Sequence, residues 1–186
     1  MEHEPSSADF VALARRLDRP VVLVGMMGVG KTSVGRKLAT LLNLPFVDAD
    51  EEIERAAQMS IAEIFEQFGE AYFRDGERRV IARLVDGERK IIATGGGAFV
   101  NPDTRTLILE RAIAVWLDCD LEVLIERVSR KDSRPLLRQG DPREILTRLK
   151  AERKSAYSEA PIHVTSAGGP HQRTVTRLLK GLEAWL

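Results

Sequence analysis

A single cysteine, Cys119, leaves no internal disulfide to be made, which suits a reducing compartment. It closes the apolar run AIAVWLDC, where a buried inert thiol is expected rather than a nucleophile. Charge of one sign is missing too, since 28 Lys and Arg balance 28 Asp and Glu. The basic clusters are short pairs (Arg15-Arg16, Arg78-Arg79, Arg130-Lys131) mixed with acids, a pattern of solvated faces rather than a nucleic-acid surface. No apolar stretch approaches the ~20 residues of a membrane span. The opening MEHEPSSADF is acidic and polar, unlike a signal peptide. These absences leave a cytoplasmic enzyme or switch protein, expected to act as a monomer without nucleic acid or membrane.

What is present is alternation. In SSADFVALARRL, Ser7 is the expected N-cap of a helix whose apolar face carries Phe10, Val11, Leu13, Ala14 and Leu17. Pro20 ends that helix and begins the strand VVLVG. Thereafter the pattern predicts a helix over 31–43, a strand over 44–48, a helix over 50–58 and helical pieces over 60–85 interrupted at Gly69 and Gly76. A strand at 90–94 runs into TGGG, followed by a helix over 101–111 opened by Asn-Pro. A strand over 112–118 and a helix over 120–130 come next. The segment 131–142 is full of breakers and reads as a mobile loop. A helix over 143–160, a strand over 161–166 and a last helix complete the chain. Five apolar strands separated by helices predict an α/β fold, a five-stranded parallel sheet with helices on both faces.

The stretch VVLVGMMGVGKTSVG (21–35) contains G-x-x-x-x-G-K-[ST] without a mismatch, between an apolar strand and an amphipathic helix. Glycines let successive amides turn toward one centre at a helix N-terminus, which makes a nest for an anion. Lys31 can reach the outer phosphates and the Thr32 hydroxyl can ligate Mg²⁺. The loop therefore binds a nucleoside triphosphate, but it leaves open whether water or a hydroxyl takes the γ-phosphoryl group. No N-K-x-D run and no L-S-G-G-Q signature occurs, and the chain is short for a motor. Elimination favours transfer to a small molecule.

Three further stretches concern the acceptor. VDADEEIE places Asp48 and Asp50 at the end of the second strand, where open α/β sheets bind ligands. Asp50 is equally well read as the cap of the following helix. TGGGAFV places Gly95, Gly96 and Gly97 after the third strand; a close ligand or a bare turn would each explain them. FRDGE sets Arg74 one turn before Glu77, either a fork for a carboxylate or an ordinary surface pair.

Together, GMMGVGKTSVGRKLA, FVDADEEIE, SIAEIFEQFGEAYFRDGE, ATGGGAFV and SRPLL resemble the shikimate kinase family in order and spacing, over roughly residues 20–185. The resemblance implies a nucleoside-monophosphate-kinase-like three-layer fold with a mobile lid. It implies transfer of the γ-phosphoryl of ATP to the 3-hydroxyl of shikimate, with Mg²⁺, in aromatic amino-acid biosynthesis. It divides the chain into an N-terminal extension (1–19) and a kinase domain (20–186), with a substrate-binding helical region at 49–86 and a lid at about 131–142. The implied nucleotide contacts are Gly28, Val29, Gly30, Lys31, Thr32, Ser33, Arg127 (packing on adenine) and the lid residue Arg134. Asp50 would contact the acceptor hydroxyls, Arg74 and Arg153 the carboxylate, and Gly95, Gly96 and Gly97 the ring. Lys31, Asp50 and Arg134 would be catalytic, and Mg²⁺ would be held by Thr32 and, through water, by Asp48. The turn TSAGGPHQR matches only loosely the loop that flanks adenine. His163 and His171 match nothing catalytic and are read as surface or core residues. A related kinase acting on gluconate, and a nucleotide-dependent switch, are the alternatives.

Overall fold

The computed structural model describes residues 6–130, 140–166 and 168–186. Its centre is β1 (Val21–Val24), whose four side chains are all wholly buried, so the strand is covered on both faces. The other strands are β2 (Phe46–Asp48), β3 (Ile91–Ala93), β4 (Ile113–Asp118) and β5 (Ile162–Thr165). They pair in the order β2-β3-β1-β4-β5, every neighbour parallel. Parallel neighbours require crossovers, and the apolar faces of the helices supply them. The register Val21↔Ile91 and Val21↔Ile113 stacks the most apolar residues in the middle of the sheet. The edge strand β5 reads differently: Ile162 and Val164 are buried while His163 and Thr165 face out.

The helices are α1 (Ser7–Arg16), α2 (Lys31–Leu42), α3 (Ala49–Ala57), α4 (Ile61–Val85), α5 (Pro102–Arg111), α6 (Leu121–Ser129), α7 (Pro142–Tyr157) and α8 (His171–Trp185). Strands and helices thus lie where the alternation predicts, with ends shifted by one to three residues. Three local readings are corrected. The cap of α1 is Ser6, not Ser7, because Asp9 at the third helical position answers Ser6 in a capping box. In α4 only Gly69 breaks the helix, at φ 81° and ψ 175°, while Gly76 stays helical. The cap of α3 is Asp48, whose Oδ1 accepts from the amides of Asp50 and Glu51, which frees the Asp50 side chain for other work.

Two packing details position the site. Gly35 lets α2 sit on β2, since a Cβ there would be 2.6 Å from the Phe46 ring. Arg89 donates to the carbonyls of Ala14 and Leu17, tying α1 to the turn that precedes β3. α1 buries Leu13 and Ala14, and Leu17 follows at 2 % exposure.

Candidate active site

The loop between β1 and α2 reaches its shape through Gly28 and Gly30, at φ 81° and 100°, a region closed to most side chains. Gly30 is the N-cap of α2 and no side chain caps that end, the condition under which a helix N-terminus takes an anion. Lys31 is buried, and its Nζ donates to the carbonyls of Gly25 at 2.7 Å and Met26 at 2.8 Å. The ammonium is thus held over the loop rather than left to sample solvent. Thr32 Oγ1 donates to Asp48 Oδ2 at 2.8 Å, joining the loop to the end of β2. One hydroxyl and one carboxylate make a hard-oxygen pair of the kind Mg²⁺ uses beside phosphates. Among the described residues no group of three or more His, Cys, Asp or Glu is arranged to cage a metal.

Across the sheet the three glycines after β3 form a floor on which charged groups converge. A Cβ on Gly95 would meet Asp50 Oδ1 at 2.8 Å and Glu77 Oε2 at 3.4 Å. One on Gly96 would meet Arg153 Nη1 at 3.1 Å and the Met27 amide nitrogen at 3.2 Å. One on Gly97 would lie 2.6 Å from the Arg74 guanidinium carbon. An added Cβ would crowd a neighbour at all three places, so the run is a close approach and not a bare turn. The Met27 contact also ties this floor to the phosphate loop.

The charges are matched unevenly. Glu77 is 1 % exposed and accepts from Arg74 Nη1 at 2.8 Å. The Arg74–Glu77 pair is therefore a buried element of the site, not the surface pair that its i,i+3 spacing also allowed. Burial raises the Glu77 pKa, opposed by Arg74 and Arg153. Arg153 is itself buried, and its Nη1 makes no hydrogen bond. Tyr157, one turn beyond Arg153 on α7, donates to the Gly96 carbonyl at 2.5 Å and secures the floor from below. Burial pushes the Asp50 carboxyl up to about 6, helped by Asp48 and Glu77 and opposed by Lys31. That places a carboxylate near the acid–base midpoint at neutral pH.

Of the residues singled out in the sequence, Lys31, Thr32, Asp48, Asp50, Arg74, Arg153 and Gly95–Gly97 come together here. Arg127, on α6, lies on the far side of the loop, where its Nη1 donates to the Val29 carbonyl at 2.8 Å. Arg134 and most of the lid segment 131–142 lie outside the described residues. Sequence reasoning missed the burial of Glu77, although Phe73, Val80, Ile81 and Leu84 place it on the inward face of α4. It also passed over Tyr157, four residues from Arg153; His171, read as a surface or core residue, is half-buried against the phosphate loop. Cys119 is buried, with its thiol pushed up to about 11 by burial, as an inert side chain should be. His163 lies on the exposed edge, its ring against Trp116 at 4.9 Å.

The family model described as shikimate kinase matches residues 27–183. A shikimate kinase of Novosphingobium aromaticivorans is 63% identical over the full length of both chains. One of Caulobacter vibrioides is 57% identical over 88% of this chain and 82% of its own. Among solved structures, a shikimate kinase from Acinetobacter baumannii in complex with shikimate superposes with a TM-score of 0.87 at 35% identity, covering 96% of this chain and 98% of that one.

Proposed function

The chain belongs to the shikimate kinase family, and from that membership we propose how its own residues divide the work. It is an ATP-dependent kinase that transfers the γ-phosphoryl group to the 3-hydroxyl of shikimate, giving shikimate 3-phosphate and ADP, a step of aromatic amino-acid biosynthesis. The observation that carries the residue assignment is the buried, unpaired Nη1 of Arg153. A buried cation whose Nη1 has no partner, set beside a second guanidinium over a glycine floor, is costly unless a ligand anion completes it. The carboxylate of shikimate has the charge and the fork geometry to do so.

Arg74 and Arg153 spend binding energy on that remote carboxylate and so fix the ring over Gly95–Gly97. Glu77 holds Arg74 in place and shares the field of Arg153. Asp50, at the other end of the floor, orients the acceptor hydroxyl and takes its proton as the new O–P bond forms. Lys31 turns its Nζ from the carbonyls of Gly25 and Met26 to the β- and γ-phosphates, whose charge it offsets in the transition state. The hydroxyl–carboxylate pair Thr32 and Asp48 fits Mg²⁺, with Asp48 acting through water. When bound, the ion would neutralise phosphate charge. Arg134 is proposed as the lid residue that reaches the transferred phosphoryl group.

Among the described residues no helix is long and apolar enough to cross a membrane. ATP as co-substrate points to the cytoplasm. The assignment is tested by incubating the protein with ATP, Mg²⁺ and either shikimate or gluconate, then analysing products by mass spectrometry. Shikimate 3-phosphate should form with wild type and fall sharply with Arg153→Ala. Unchanged turnover in Arg153→Ala, or phosphorylation of gluconate at an equal rate, would overturn the carboxylate assignment.

A further inference from the structure

The sheet order splits the site into halves about β1. On one side, β2 and β3 end in Asp48, Asp50 and Gly95–Gly97, the acceptor half. On the other, β4 and β5 lead into α6 and α8, which present Arg127 and His171. His171 is the first residue of α8, whose N-terminus has no side-chain cap. Its ring lies against the phosphate loop: a Cβ on Gly30 would be 2.9 Å from Cε1 and 3.3 Å from Nδ1, with Arg127 Nη1 at 3.5 Å. Although the residue as a whole is only half-buried, Nδ1 is shut from solvent and makes no hydrogen bond.

A ring nitrogen sealed in this way is satisfied by something that arrives, because buried polar atoms are rarely left unpaired. Burial, with the charges of Arg127 and Lys37, holds the imidazole below its ordinary pKa. The free protein at neutral pH therefore carries a neutral ring with one N–H to donate. Arg127 and His171 both flank Gly30 on the side of the loop away from the acceptor half. We propose that His171 is a nucleotide-contacting residue, its Nδ1–H donating to the α-phosphate of the ATP bound on the Gly25–Thr32 loop. This rests on the reading of that loop as the ATP site. His171 then helps to set where the nucleoside leaves the loop, a task for which the sequence offered no candidate near TSAGGPHQR.

The test is ADP binding by calorimetry and steady-state kinetics on the full chain, comparing wild type with His171→Ala, His171→Asn and Lys31→Met. Asparagine can place an amide N–H close to where Nδ1 stands. The ADP Kd and the ATP KM should rise about 5- to 20-fold in His171→Ala, the range of one lost hydrogen bond to a charged group. His171→Asn should recover most of the loss, and the KM for shikimate should stay within about twofold. Binding of ADP to His171→Ala within about twofold of wild type, while Lys31→Met abolishes it, overturns this inference and leaves the ATP site standing. Wild type that binds no ADP overturns both. Equal weakening in Ala and Asn, or an equal rise in the shikimate KM, marks a purely structural role and also overturns the proposal. Should His171→Ala fail to fold, ¹⁵N resonances of the wild-type ring decide: ADP must move the Nδ1 signal toward that of a hydrogen-bonded donor, and an unmoved signal counts against it.

Discussion

The Asp50 carboxylate lies against the Cα of Gly95, so close that a Cβ at that position would sit 2.8 Å from Oδ1. Asp50 belongs to the first turn of α3, whose backbone is pinned by the Asp48 cap, so the short side chain can yield only by rotating away. Gly95→Ala should therefore lower kcat by about tenfold or more and leave the ATP KM within about twofold. Gly97→Ala presses instead on the long, flexible Arg74 and should act mainly on the shikimate KM. Steady-state kinetics with each substrate varied in turn separates the two; the same kinetic signature from both would contradict this geometry.

Asp50 sets a pH dependence of known sign. Its folded pKa is raised to about 6, and the ionised form is the one that can accept a proton. The value of kcat/KM for shikimate should be flat above that pH and fall about tenfold per unit below it. Stability moves the opposite way. Because the folded state binds this proton more tightly than the unfolded chain, stability declines as pH rises from about 4 to about 6, and the full penalty persists above that. Asp50→Asn should thus cut kcat by about 10²–10⁴ yet raise stability at pH 7 by about 1–3 kcal/mol. Urea titrations at pH 4 and pH 7 check it: the gain should vanish at the lower pH.

Arg74 and Arg153, proposed to share one carboxylate ligand, do not share a structural role. Removing Arg74 strands the buried Glu77 carboxylate, whereas removing Arg153 takes away a cation whose Nη1 is already unpaired. Either change to Met should raise the shikimate KM about 10- to 100-fold with little change for ATP, as expected for a lost charge-assisted pair. Only Arg74→Met should also destabilise strongly, by about 3 kcal/mol. Thermal melts beside kinetics test the asymmetry. If Arg153→Met melts as low as Arg74→Met, Glu77 depends on both cations equally.

Much of this was legible before any coordinates. The phosphate loop, the strand alternation and the order of the five strands along the chain follow from periodicity and breakers, because each element is specified locally. Asp48 and Asp50 were placed correctly at a strand end, but only the structure shows that Asp48 takes the cap and leaves Asp50 to face Gly95. Gly69 and Gly76 look alike in sequence. One has a left-handed φ at a break in the helix, while the other keeps helical geometry within α4. The Arg74–Glu77 pair could not be told from a surface pair, since its burial depends on what α4 packs against. The position of His171 was hidden for the same reason: it meets Gly30 only after about 140 residues of chain have folded between them.

The N-terminal helix gives a prediction that separates stability from chemistry. α1 meets the body at the end of the sheet opposite the site: Leu17 precedes the start of β1, and Arg89, which donates to the carbonyls of Ala14 and Leu17 at its helix end, precedes the start of β3. Among the described residues, the proposed site groups Lys31, Asp50 and Gly95–Gly97 follow the other ends of β1, β2 and β3. Leu13 and Leu17 together bury two large side chains, each contributing about 1.5–3 kcal/mol. Deleting residues 1–18 should therefore lower stability by about 3–5 kcal/mol while the KM values for shikimate and ATP, measured well below the new Tm, stay within about twofold. Arg89→Ala should reproduce about 1 kcal/mol of that loss without touching the apolar contact. A truncated chain that melts like the full one would show that α1 contributes no net stability. A changed KM at unchanged Tm would mean that the helix communicates with the site through the sheet, against the separation of ends described above.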